Sequence, residues 1–164
     1  MHQGYVSIGS NIDKDKYIPA SLDALKKHFG TLTISSIYES EAIGFKGDTF
    51  YNLIVGFKSA LDVKETAKTL RQIELDNGRT SDSQKFSSRT LDLDLILYDD
   101  MIINDGKLQI PRDEIEKYAF VLEPLAEIAP DLKHPISRLS YENIWKHYDK
   151  TKLCQRRITP NWHI

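Results

Sequence analysis

"RTLDLDLILYDD" occupies positions 89–100. Its leucines alternate with other residues, which is the period of a strand. Leu91, Leu93, Leu95 and Leu97 are expected on one face, and Asp92, Asp94, Ile96 and Tyr98 on the other. Two aspartates at this spacing stand ~6.6 Å apart along the same face. Carboxylates that close repel each other, and burial raises the cost. A divalent cation removes the conflict, because Mg²⁺ commonly takes one or two carboxylates and completes its shell with water and phosphate oxygens. The plainer reading is a pair pointing into solvent at a strand end, so the surrounding chain has to decide.

Working outward, positions 4–11 ("GYVSIGSN") read as a strand stopped by Gly9, Ser10 and Asn11. Positions 14–29 carry Ile18, Leu22, Leu25 and Phe29 at helical spacing and end at Gly30. Positions 31–40 and 49–60 read as a hairpin of two strands around the loop 41–48. Asp62 with Glu65 forms a capping-box signature for a helix that ends near Asn77 and Gly78. A polar loop, 79–90, then leads into the opening stretch. The order is β-α-β-β-α-β, the ferredoxin-like arrangement. The expected fold is therefore α+β, with a central antiparallel sheet and helices packed on it. The strand of Asp92 should lie beside the first strand, in the sheet interior. Beyond it come short strands near 102–103 and 108–110, and helical pieces near 112–128 and 140–148, as a C-terminal helical extension. The chain reads as a single domain over 1–164, with its core at about 4–148. The basic tail 149–164 has no clear period.

Composition limits the function classes. At 164 residues, with 40% hydrophobic and 28% charged residues, the chain suits one globular core. A net charge of −2 offers no global field for nucleic acid or an anionic membrane. The single cysteine, Cys154, allows no internal disulfide and suits a reducing, cytoplasmic setting. No window approaches the ~20 apolar residues of a membrane span, and no signal peptide is expected.

Three neighbourhoods favour a metal–phosphate reading of the aspartates. Arg79, Lys85 and Arg89 place phosphate-matching cations in the loop just before the pair. No G-x-x-x-x-G-K-[ST] motif occurs, so side chains and metal rather than a Walker loop would hold a nucleotide. Phe50 and Asn52 share a strand face opposite Tyr51, pairing an aromatic plate with an amide that can read a heterocycle edge. Phe120 could supply a second plate.

These segments carry a resemblance. "SIGSN", "SSIYES", "FYNLIV", "RQIELDNGR", "RTLDLDLILYDD" and "AFVLEPLAEIAPDLKHP" follow one another in order. Together they resemble 6-hydroxymethyl-7,8-dihydropterin pyrophosphokinase, the HPPK family of folate biosynthesis. The resemblance implies transfer of diphosphate from ATP to the pterin hydroxymethyl group, with AMP released. It implies two Mg²⁺ ions bridging Asp92 and Asp94 to the triphosphate, with Arg79 and Arg89 also in the catalytic set. It places Phe50 and Phe120 on either side of the pterin, Asn52 at its edge, and Ser40 and Ile43 around the rest of the ring. It places Glu74, Leu95 and Leu108 at the nucleoside, and Arg79, Lys85 and Arg89 at phosphates. Asp94 is a candidate to orient or deprotonate the hydroxyl.

The chain also departs from the family. Ser40-Glu41-Ala42 stands where Thr-x-Pro is usual, and Phe86-Ser87-Ser88 replaces an aromatic followed by Gly-Pro. Ser81 replaces a loop arginine, Arg112 a histidine, and Tyr118 an arginine. Arg112 and Tyr118 are therefore candidate ATP contacts of altered character. The tail runs past the family's usual end. The expected partners are the two small substrates, with no nucleic acid or membrane. Fusion to another folate enzyme is not expected at this length, while transient contact with dihydropteroate synthase stays open. Two competing readings remain: a divergent HPPK paralogue with slow activity or a modified pterin, and a non-enzymatic ferredoxin-like binding module.

Overall fold

The computed structural model describes residues 1–41, 49–78, 91–151, 153–160 and 162. In chain order the elements are β1 (His2–Ser10), α1 (Lys14–Phe29), β2 (Leu32–Ile34), β3 (Ile37–Ser40), β4 (Phe50–Ser59), α2 (Val63–Asp76) and β5 (Asp92–Tyr98). They continue with β6 (Ile103–Asp105), β7 (Leu108–Ile110), α3 (Glu114–Lys117), α4 (Ala119–Ile128), α5 (Tyr141–Lys146) and β8 (Gln155–Ile158). The main sheet has the order β5-β1-β4-β3-β8, with β2 also paired to β4. All its pairings are antiparallel, and β6 and β7 form a separate hairpin. The fold is α+β. No helix among the described residues is long and apolar enough to cross a membrane.

Alternation gives the sheet two apolar faces. One presents Val6, Ile8, Leu53, Val55, Phe57, Leu93 and Leu95 to Ile18, Leu22 and Leu25 of α1 and to Leu70 and Ile73 of α2. The other presents Ile54, Ile96 and Leu97 to Ile115 of α3, to Val121, Leu122 and Leu125 of α4, and to Tyr141 of α5. Burying each such side chain contributes ~1.5–3 kcal/mol, so both layers are needed to hold the sheet between them. Helix ends follow the sequence signals. Gly30, at φ 80°, takes a conformation that suits glycine and donates its N–H to the Lys26 carbonyl. The Asp62 side chain accepts the Glu65 N–H at 2.8 Å and starts α2.

Several expectations need correction. Gly9 and Ser10 do not stop the first strand; they lie within β1, with Gly9 paired to Asn52 on one side and Asp92 on the other. The strand expected at 31–40 is interrupted at Ser35 and Ser36. There the Ser35 N–H donates to the Ile54 carbonyl at 3.0 Å, and its Oγ accepts the Ile54 N–H at 2.9 Å. β5 does pair with β1, but among the described residues it stands at the edge of the sheet rather than in its interior. Its apolar character comes from helices above and below, and Glu74 of α2 reaches across to accept the Leu93 N–H at 2.7 Å. The helical piece at 112–128 divides at Tyr118, whose extended backbone separates α3 from α4. The tail is not featureless: 155–158 forms β8 on β3.

The face assignment in the opening stretch also changes. The β1–β5 register shifts between Tyr5 and Val6, so that Ile96 has no partner of its own while Leu97 pairs with Tyr5 and Tyr98 with Gly4. A bulge of this kind reverses the alternation beyond it. Leu97 therefore joins the α4 layer beside Ile96, and Tyr98 joins the α1 and α2 layer. Asp92 and Asp94 precede the bulge and keep their common face with Ile96.

Candidate active site

Register puts the site together. Paired residues project from the same side of a sheet, and Asp92, Gly9, Asn52, Tyr38 and Arg157 form one such row across β5, β1, β4, β3 and β8. Asp94, Ser7 and Ile54 form a parallel row further along the strands. Phe50, Ser40 and Gln155 form a third at the opposite end. All three lie on the α4 side. The helices do not cover the whole of that side: Ser7, Gly9, Asp92 and Asp94 are only half-buried, whereas their neighbours Val6, Ile8, Leu91 and Leu93 on the other face are buried. The result is an open floor at one end of the sheet.

The floor depends on Gly9. A Cβ placed there would stand 3.3 Å from Asn52 Oδ1 and 3.9 Å from the Phe50 ring. Glycine thus keeps clear the space between the Asn52 amide and the Asp92 carboxylate. Asn52 is buried, and its Nδ2 donates to Ser40 Oγ at 2.8 Å. That bond turns Oδ1 toward the floor, where it can accept from a ligand. The α4 N-terminus stands nearby. Phe120 stacks on Tyr118 with ring centroids 5.0 Å apart at 15°, and both help line a cavity of about 300 Å³ with Ser40. This is the small end of the ~300–1,000 Å³ range of ligand pockets, with room for one flat heterocycle rather than a nucleoside triphosphate.

Arg112 approaches the aspartates from a third direction. Its backbone N–H donates to the carbonyl of the bulged Ile96 at 3.1 Å, so the bulge fixes where the arginine enters. Its guanidinium forks onto Glu114, with Nε at 3.1 Å and Nη2 at 2.7 Å from the two carboxylate oxygens. Burial works against the Arg112 charge, but Glu114 and the charge of Asp94 outweigh it and raise the pKa. Burial likewise works against ionised Glu114, but the Arg112 fork prevails and lowers its pKa to about 2. Arg112 therefore stays cationic beside Asp94, with its fork directed at Glu114.

The remaining sequence candidates fall elsewhere. Leu95 is buried in the α1 and α2 layer, Leu108 packs against that layer, and Glu74 is buried with its carboxylate on the Leu93 N–H. These three stand on or toward the side of the sheet opposite the floor. Ile43, Arg79, Lys85 and Arg89 lie outside the described residues, as do the departures at 42, 81 and 86–88. Sequence reasoning overlooked Ser7 and Gly9 of the floor, because "SIGSN" reads as a turn. It also overlooked Glu114, which only the path from Ile96 to Arg112 brings into range.

The floor suits magnesium. Among the described residues no group of three or more His, Cys, Asp or Glu could hold a metal ion. Among the described residues the floor offers two carboxylates and no nitrogen or sulfur ligand. That is a set Mg²⁺ accepts, with water and phosphate oxygens completing its octahedron. Structural zinc, by contrast, takes four N or S ligands from the protein.

Comparison with known proteins identifies the family. The family model for 7,8-dihydro-6-hydroxymethylpterin-pyrophosphokinase (HPPK) matches residues 5–130. The 2-amino-4-hydroxy-6-hydroxymethyldihydropteridine pyrophosphokinase of Aquifex aeolicus is 34% identical over 136 residues, covering 82% of this chain and 84% of the relative. The folic acid synthesis protein fol1 of Pneumocystis carinii is 34% identical over 150 residues, covering 87% of this chain but only 20% of that longer protein. A crystal structure of wild-type Plasmodium falciparum HPPK-DHPS with SDX-DHP superposes with a TM-score of 0.73 over 96% of this chain and 47% of that one. Its sequence identity is 12%, so it speaks to the fold alone. Residues 5–130 span the floor from Tyr5 of β1 past Phe120 of α4, and by this match the chain belongs to the 7,8-dihydro-6-hydroxymethylpterin-pyrophosphokinase family.

Proposed function

We propose that the protein is a diphosphotransferase. It moves the terminal diphosphate of ATP onto the hydroxymethyl oxygen of 6-hydroxymethyl-7,8-dihydropterin, as a step of folate biosynthesis. The hydroxyl oxygen attacks the β-phosphorus, the bond to the α,β-bridging oxygen breaks, and AMP leaves while the hydroxyl proton is taken up. The observation that carries this reading is the row Asp92–Gly9–Asn52. Two strand spacings separate the carboxylate from the amide, roughly 10 Å. A heterocycle held at Asn52, Phe50 and Phe120 would extend a short hydroxymethyl arm across the bare glycine toward phosphates gathered at the aspartates.

Asp92 and Asp94 would hold two magnesium ions. When bound, these neutralise triphosphate charge and favour in-line geometry. Ser40, Asn52, Phe50, Phe120 and Ile43 would hold the pterin. Arg79, Lys85 and Arg89 would take the phosphates, and Glu74, Leu95 and Leu108 would bound the nucleoside from the far side of β5. Asp94 is the group we assign to orient the attacking hydroxyl and receive its proton. The strand order β5-β1-β4-β3 around α1 and α2 supports a ferredoxin-like core, and the HPPK-DHPS chain of Plasmodium falciparum supports a contact with dihydropteroate synthase.

A slower, divergent relative is the second reading, favoured by one observation. Tyr118 stacks on Phe120 where the family usually has arginine, and the charge of Arg112 is offset by Glu114, so one cation is lost and another is held away from a transition state that depends on positioned charge. A binding module for RNA is disfavoured, because the uncovered part of the sheet presents Asp92 and Asp94, which repel a polyanion.

The test is AMP release from ATP, Mg²⁺ and the pterin, with Asp92→Ala as the control. AMP that requires the pterin and vanishes in the control supports the assignment, and its turnover distinguishes the two readings. Pterin-independent AMP, or none, overturns it.

A further inference from the structure

We propose that the C-terminal strand is a working wall of the heterocycle pocket. In this arrangement Leu153 and Cys154 face the bound pterin, and Gln155 is the positioning residue for Phe120. The inference rests on the pterin reading above and extends it to a segment beyond residues 5–130, which the family model matches.

The cavity lined by Ser40, Tyr118 and Phe120 is also lined by Leu153, Cys154 and Gln155, and Ser40, paired with Phe50 and bonded to Asn52, joins it to the floor. This wall is fastened by specific bonds. Gln155 pairs with Ser40 across the sheet, and its Nε2 donates to the Ala119 carbonyl at 3.1 Å and to Glu123 Oε1 at 2.8 Å. Ala119 directly precedes Phe120, so Gln155 ties the stacking ring's own backbone to the strand that carries Ser40. Arg157 Nε donates to the buried Tyr38 hydroxyl at 3.0 Å, and Arg156 forks onto Glu39 at 2.9 and 3.1 Å. With the strand held at three successive residues, the side chains just before it are presented to the cavity at a fixed distance. Leu153 is 38% exposed and Cys154 is also exposed, which leaves both available to a ligand.

The sole cysteine makes the wall directly readable in the unmodified, full-length protein. The rate at which 5,5′-dithiobis(2-nitrobenzoate) reacts with Cys154 is measured alone, with saturating 6-hydroxymethylpterin, and with Mg²⁺ and a non-hydrolysable ATP analogue. Pterin binding is followed separately by calorimetry. The pterin is expected to slow the thiol reaction at least about tenfold, since such pockets bury most of a ligand's surface, while the nucleotide analogue changes it less than about twofold. Pterin that binds without slowing the thiol overturns this inference and leaves the functional reading intact. Protection by the nucleotide alone overturns the assignment of the pocket to the pterin. Absence of pterin binding overturns both. For Gln155, Gln155→Ala should raise the pterin KM about tenfold with the ATP KM nearly unchanged, and Gln155→Lys, which restores a donor to Glu123, should recover part of the loss. Equal changes in both KM values would reduce Gln155 to a structural role.

Discussion

At the scale of single residues, the site is defined as much by a missing side chain as by those present. Asp92 and Asp94 were legible because a paired charge in an apolar strand is conspicuous against its period. Phe50 and Asn52 were legible because residues two apart share a face. Gly9 was not, since its value lies in what flanks it from two other strands. Substituting it tests the open floor. Gly9→Ala places a methyl group 3.3 Å from Asn52 Oδ1, which must give way by a few tenths of an ångström. The expected outcome is a pterin KM raised roughly fivefold, because displaced contacts lose orientation, with little change in the urea midpoint. Steady-state kinetics beside an unfolding titration checks this. A lowered midpoint with an unchanged KM would mean that the floor is not where the ligand lies.

At the scale of elements, helices were read to within a residue or so where caps announced them, as for α1 and α2. Strands were located well, but their faces and breaks less so. The β5 bulge at Ile96 is invisible to a count of period two, because nothing in "LDLILY" marks which residue will be passed over. The break between β2 and β3 is likewise set from outside. Glu127 of α4 accepts the Ser36 N–H at 3.1 Å and the Ser36 hydroxyl at 2.7 Å, and the buried Tyr38 hydroxyl donates to it at 2.8 Å. Burial and the bonded carboxylate both raise the Tyr38 pKa, which keeps this hydroxyl a donor. Glu127→Ala removes the acceptor from all of these donors. A loss of about 2–3 kcal/mol is expected in urea unfolding, most of it from the stranded Tyr38 hydroxyl. Glu127→Ala combined with Tyr38→Phe should then cost less than the single substitution, and equal costs would show that the network contributes little.

At the scale of the whole molecule, the layered α+β arrangement was legible from the order of elements, and the family from motifs spread along the chain. The place of β5 at an edge was not, because burial from above and below reads the same as burial from the sides. Nor was β8, whose pairing depends on Tyr38, Glu39 and Ala119, far away in sequence. The acid response of the fold follows from two groups on the α3 side. His134 is buried, and its Nδ1 accepts the Ile136 N–H at 3.1 Å, while Nε2 lies 3.2 Å from Glu116. Burial lowers its pKa despite Glu116, so the fold favours the neutral ring. The unfolded chain takes up this proton more readily, so stability should decline as pH falls through the ordinary histidine range near ~6.5. Glu114, lowered to about 2, contributes fully above its ordinary value of 4.5, and that contribution is lost as pH drops toward 2. Urea midpoints should therefore fall in two stages on acidification, and His134→Asn should flatten the upper one. A midpoint unchanged between pH 7 and 5 would contradict the first stage.

The row Asp92–Gly9–Asn52–Tyr38–Arg157 also bears on how such a chain can diverge. Each member comes from a different strand, and each projects from the α4 side only because every strand keeps its register. Replacing one member retunes the site locally and leaves the others in place. Inserting or deleting one residue within β1 or β4 would instead turn that strand's contribution to the opposite face, breaking the core and the chemistry together. Drift in this lineage is therefore channelled: letters within these strands can change, but their number cannot.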